Sequence, residues 1–219
     1  MSKTPDWHQR LSVARRRSYD KSATVRHLRL RGSSQLLRAT AALPAALARE
    51  NRPHVQALSQ QIVDEVCAGL GVRRASVTIE GVRPSNAKGE LHGLYTTFHG
   101  GRHDSIKVWM RTAKQARVVA FKTFLRTLLH ELCHHLDYTL LGLEDSFHTD
   151  GFFQRESSLF QCVSRPSAQG SSGERKPAGG QSLSDYVAAF LRARQDQATA
   201  GGAGRGAGRR RAASDERSL

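Results

Sequence analysis

Apolar residues recur at helical spacing in two long stretches of the chain. Over residues 52–71, Val55, Leu58, Ile62, Val66 and Leu70 mark one face, Pro53 suits a first turn, and Gly71 closes the segment. Over residues 116–142, Val118, Phe121, Leu125, Leu128, Leu132 and Leu136 form a second stripe that runs without Gly or Pro until Gly142. An Ala/Leu-rich stretch at 33–50 has the same period, although Pro44 is expected to break or kink it. A shorter helix is expected over 151–163, "GFFQRESSLFQCV", after a polar connection, "LEDSFHTD".

Between the two long helices the period changes. "ASVTIEGV" (75–82), "LHGLYTTF" (91–98) and "SIKVWM" (105–110) are short and rich in β-branched or aromatic residues. They are separated by the turn compositions "RPSNAKGE" and "HGGRHD". Connections this short predict antiparallel hairpins, since parallel pairs need long crossovers. The expected fold class is therefore α+β, with a small antiparallel or mixed sheet packed on the 116–142 helix.

Charge divides the chain into three parts. Residues 1–38 carry ten Lys/Arg against two acids, residues 39–163 fourteen against twelve, and residues 164–219 ten against five. The central part is thus close to neutral and both ends are basic. The expected organisation is a basic, disordered arm over 1–32, a folded domain over 33–163, and a tail over 164–219 made of a linker, one short helix (183–195) and a basic disordered end. Basic arms favour anionic polymers through counterion release, so nonspecific DNA or RNA association is one expectation. Three cysteines at unrelated spacings, Cys67, Cys133 and Cys162, make no disulfide framework. No apolar run reaches membrane-spanning length, and a cytoplasmic location without membrane attachment is expected.

The chemistry is concentrated in "HELCHHLD", residues 130–137. On a helix, His130 and His134 lie one turn apart on the same face, so both can ligate one metal ion. Glu131 is turned about 100° away, beside the metal position and within reach of a water there, where it can serve as general base. Downstream, His148, Glu156 and Asp150 are candidates for the third ligand, in that order of preference, because neutral imidazole suits zinc well. His135 is expected beside the cleft and not as a ligand. Asp137 either orients a ligand imidazole or is simply solvated, and Cys133 is expected to be a small buried residue. His92, His99 and His103 are expected to be ordinary strand and turn imidazoles, and Tyr95 a packing residue more than an oxyanion donor.

The run "HELCHHLDYTLLGLEDSFHTDGFF" resembles the SprT-like zinc metallopeptidases, whose motif is HExxH followed by a gap of this length, a His, and then Gly and an aromatic residue. The resemblance extends over roughly residues 55–163 and includes "LHGLYTT" and "SIKVWM". It implies a zincin-like fold, three zinc ligands at His130, His134 and His148, Glu131 as catalytic base, and a sheet edge that binds substrate backbone. Here Thr149 and Asp150 intervene between the His and the Gly, and no cysteine-rich zinc ribbon follows. The MtfA-like zinc peptidases share a similar HExxHxxD start but take a Glu as third ligand, which keeps Glu156 in play. The expected function is zinc-dependent hydrolysis of peptide bonds. The alternative is a noncatalytic, zinc-containing, basic protein associated with nucleic acid, in which four protein ligands would close the site.

Overall fold

The computed structural model describes residues 6–87, 89–97 and 104–164. Two compact units divide the chain, residues 1–85 with 90–173 and residues 86–89 with 174–219. Of the second unit, the described part is the tip of a short hairpin in which β2 (Ser85–Asn86) pairs with β3 (Gly89–Glu90). The expected linker, the 183–195 helix and the basic tail lie outside the described residues, as do His99 and His103.

The first unit is α+β. Its helices are α1 (Val13–Thr24), α2 (Ser34–Ala48), α3 (Arg52–Leu70), α4 (Phe121–Thr139) and α5 (Asp150–Val163), with a 3-10 turn at Asp6–Arg10. Its sheet has three strands, β1 (Ser76–Val82), β4 (Gly93–Thr96) and β5 (Ser105–Arg111), in the order β1-β5-β4. Helices α2 and α3 pack on each other, α3 covers β1, and α4 lies against β4 and β5. Val55, Ile62, Val66, Ile79, Ile106, Val108, Leu125, Leu128 and Leu132 meet in one apolar core. Among the described residues, no helix is long and apolar enough to cross a membrane.

The sheet departs from the hairpin expectation. Strands β4 and β5 do form an antiparallel pair, with Gly93 opposite Val108 and Thr96 opposite Ser105. Strand β1 instead pairs parallel with β5, Val77 opposite Ile106 and Ile79 opposite Val108. Central β5 is the most buried strand, and its Ile106, Val108, Trp109 and Met110 have no solvent-facing alternation of the kind an edge strand shows. Short connections therefore placed β4 correctly but said nothing about which strand would lie across β5 from it.

Two helix boundaries also differ. Helix α2 runs through Pro44, because Leu36, Ala39, Leu43, Ala46 and Leu47 are all buried and their packing outweighs the missing hydrogen bond. Helix α4 starts at Phe121, not 116, because residues 112–119 fold back along β5. Val119 donates to the Met110 carbonyl (2.9 Å) and Thr112 to that of Arg117 (2.8 Å).

The largest correction concerns the N-terminal arm. Expected to be disordered, it forms α1 over Val13–Thr24, capped by the Ser12 hydroxyl, which accepts from the Arg15 N–H. Its buried side chains are Ser18 and Ser22, so it has no apolar stripe for a periodicity reading to find. Polar contacts hold it instead. The Glu144 N–H donates to Ser18 Oγ (3.0 Å), Ser22 Oγ meets Thr149 Oγ1 (2.9 Å), and Arg15 pairs with Asp145. Trp7 and Tyr19 close over Phe147, with ring centroids 6.0 and 5.6 Å away.

Candidate metal centre

Helix α4 is amphipathic in an unusual way: both of its faces are buried at the C-terminal half. Leu125, Leu128, Leu129, Leu132 and Leu136 anchor it in the core, while His130, Glu131, His134, His135 and Asp137 are buried polar residues on the remaining surface. Burying that many polar groups is unfavourable unless each is hydrogen bonded or ligating. Their partners define the site.

The helical spacing brings His130 and His134 together, with ring centroids 4.9 Å apart, and the loop before α5 places His148 against both. The Nε2 atoms of His130 and His148 are 3.0 Å apart, and those of His148 and His134 are 3.1 Å apart. Among the described residues, these three form the group of His, Cys, Asp and Glu side chains whose ligand atoms converge, all within 4.8 Å. Three nitrogens on one tetrahedral ion at about 2.05 Å would lie about 3.3 Å from each other, so the three histidines lie close enough to bind a metal ion. Phe152 forms the apolar floor, 5.0, 4.8 and 5.0 Å from the ring centroids of His130, His134 and His148. Phe153 stacks on the outer face of His148 at 5.7 Å.

The second nitrogens identify which atoms are available as ligands. His130 Nδ1 lies 3.1 Å from Glu156 Oε2, which leaves Nε2 as the nitrogen that faces the convergence point. Ser146 donates its hydroxyl to Asp137 Oδ2 (2.7 Å) and therefore accepts from His134 Nδ1 (2.7 Å). His134 Nε2 is thus the nitrogen that faces His148. Three imidazole nitrogens aimed at one point fit a cation.

The three competing acids lie outside this group. Glu156 sits behind His130, on the nitrogen away from the convergence point, and also faces Arg126 Nη1 at 3.5 Å. Burial pushes its carboxyl up to about 7, against the pull of Arg126 and with a smaller push from Glu131. Asp150, the first residue of α5, is exposed and outside the converging group. Asp137 is fully buried and orients His134 through Ser146. Burial raises its carboxyl, while Arg155 and Ser146 draw it back down. Arg155 Nη2 donates to Asp137 Oδ1 (2.8 Å), a buried pair whose disruption would cost about 3–5 kcal/mol.

Glu131 is fully buried and leans toward edge strand β4. A Cβ on Gly93 would lie 2.7 Å from both Cγ and Oε1 of Glu131, so the strand's glycine makes the space that the carboxylate occupies. His135 faces away from the convergence point. Its Nε2 meets the Arg73 carbonyl (2.7 Å) and its Nδ1 lies 3.3 Å from buried Asp104, with burial lowering its pKa against both partners. Tyr95 packs on Tyr138 and approaches His135 Nδ1 (3.4 Å). Cys133 is buried, its thiol pushed well up by desolvation. His92 is half-buried beside β4 and is not part of the converging group.

Sequence reasoning missed Ser146, Arg155 and Gly93. Ser146 carried a weak signal, being a polar residue two positions before His148, whereas Arg155 and Gly93 carried none. No protein-family model, curated protein or solved structure matches the chain.

Proposed function

We propose that the chain is a zinc-dependent peptidase of the HExxH type, with His130, His134 and His148 as ligands and Glu131 as general base. The carrying observation is the convergence of three imidazole Nε2 atoms at 3.0–3.1 Å beside a buried glutamate on the same helix. Zinc, when bound, would polarise the scissile carbonyl and acidify a water. Glu131 takes the proton of the attacking water and delivers it to the departing amine, so that one C–O bond forms as the C–N bond breaks. Phe152 and Phe153 exclude bulk water from one side of the histidines and fix the His148 ring. Strand β4 lies at the edge of its sheet, next to Glu131, and an extended peptide adding to that edge would present its backbone to the base. The mixed sheet, the helix α4 behind it and the third histidine before α5 support a zincin-like, SprT-like arrangement.

A closed structural site would need a fourth ligand. Among the described residues the converging set stops at three, which favours the catalytic reading. The test is Glu131→Gln in the full-length chain. Zinc should remain at one per chain, and hydrolysis of a fluorescent casein substrate should fall by about 10²–10⁴-fold. Hydrolysis at the parent rate would refute the assignment of the base.

A further inference from the structure

The metal site is held from behind by a segment more than a hundred residues upstream. Helix α1 lies across the 140–149 loop, which carries Ser146 and His148, and meets it at several points. Lys21 Nζ donates to the Leu141 carbonyl, Arg15 pairs with Asp145, Ser18 accepts from the Glu144 N–H, and Ser22 bonds Thr149. Arg155 then joins the helix to the ligands. Its Nη1 donates to the carbonyls of Ser22 (2.7 Å) and Val25, at the end of α1, and its Nη2 to Ser22 Oγ (3.0 Å) and Asp137. One guanidinium thus caps α1 and anchors the carboxylate that, through Ser146, fixes the proton of His134.

Gly151 provides an independent sign that this docking is built into the fold. A Cβ there would lie 2.1 Å from the Ser22 carbonyl oxygen and 2.8 Å from that of Ala23. Those atoms are backbone and cannot swing aside. The start of α5 and the end of α1 therefore approach so closely that only glycine fits, three residues after a proposed ligand.

We propose that α1 is a working part of the metal site, with Arg155 as the positioning residue. Docked α1 sets the place of His148 through the 140–149 loop and the orientation of His134 through Arg155, Asp137 and Ser146. Displacing the helix weakens metal binding without removing any ligand. This rests on the metal-binding reading of the three histidines and not on the peptidase chemistry.

The test uses the full-length chain and two variants that leave every ligand and every residue of the Asp137 relay in place. Gly151→Ala forces α1 off α5. The double substitution Arg15→Glu with Lys21→Glu removes two of its exposed contacts with the loop and serves also if the first variant fails to fold. Docking is read as the rate of tryptic cleavage after Arg16 and Arg17, sites that both variants keep, and metal binding as the zinc Kd from chelator competition. The visible spectrum of the cobalt-loaded protein reports ligand geometry. The expected result is at least tenfold faster cleavage, a zinc Kd raised about 10–100-fold, as for loss of a group that orients a ligand, and altered cobalt bands. Faster cleavage with a zinc Kd within twofold of the parent and an unchanged cobalt spectrum would overturn the proposal. So would unchanged cleavage in every variant that folds. A chain that shows the expected metal behaviour but hydrolyses no peptide refutes the peptidase and leaves this inference standing, whereas a parent chain without zinc affinity overturns both.

Discussion

Gly93→Ala should impair the proposed general base, Glu131, while leaving the three converging histidines untouched. The added Cβ would stand 2.7 Å from Cγ and Oε1 of Glu131 and 2.9 Å from Cγ2 of Thr127. Comfortable carbon contacts begin at about 3.5 Å, so something must retreat by about 0.8 Å. Helix α4 is not free to do so, since Leu125, Leu128, Leu129 and Leu132 are fully buried beneath it. Strand β4 is held by its register with β5. The Glu131 side chain is what yields. Misplacing a catalytic group by about 1 Å can cost 10²-fold, or about 2.7 kcal/mol of transition-state stabilisation. Overpacking adds about 1–3 kcal/mol of lost stability, read separately by urea denaturation. The assay compares kcat/KM of the parent, Gly93→Ala, Glu131→Gln and the double variant on one fluorescent protein substrate, with zinc content measured on each. Gly93→Ala should lose about 30–100-fold, and the double variant should be no slower than Glu131→Gln alone, because both changes act on the same group. If Gly93→Ala slows the Glu131→Gln protein by its own full factor, the glycine does not act through Glu131 and the reasoning fails.

Ser146→Ala removes the bridge between His134 and Asp137, while Asp137 keeps its pair with Arg155. Zinc affinity should fall about 10–100-fold, yet stability of the metal-free protein only about 1 kcal/mol; equal zinc affinity in the two proteins would remove Ser146 from the site. Chelation by EDTA should lower the melting temperature. Zinc at about 1,000-fold above its Kd stabilises by about 4.1 kcal/mol, or about 8–16 °C for a chain of this size. Calorimetry should find that shift abolished in His148→Ala and retained in Asp150→Ala, and the reverse pattern would reassign the third ligand.

The helix-borne half of the site was legible in the sequence because helical spacing alone brings His130 and His134 together and turns Glu131 aside. His148 was legible from its chemistry and its place before a helix. Glu156 stood behind His148 as a second candidate because its residue type suits a metal as well as it suits a ligand's far nitrogen. Only the α4–α5 packing, which puts it behind His130, separates the two roles. Helix α1 was illegible for a different reason. It docks through Ser18, Ser22 and the carbonyls that Arg155 caps, and such contacts leave no hydrophobic period. The parallel β1–β5 pair was likewise hidden, since strand composition reports burial and not neighbours.

The span of the α1 docking contacts has a consequence for how the protein is made. Ser22 and Thr149 are 127 residues apart in the chain, and Arg155 and Ser22 are 133 apart. Closing a loop that long is entropically unfavourable and is offset only once both ends are present to pair. On the ribosome the N-terminal segment emerges first, with α5 following more than a hundred residues later. Helix α1 therefore has no docking partner through most of synthesis, and His134 and His148 gain their backing only when the 140–163 segment folds onto it. The convergence of the three histidines is tied to the final closure of the domain, and a partly synthesised chain would carry the octet "HELCHHLD" without the structure that makes it a candidate site.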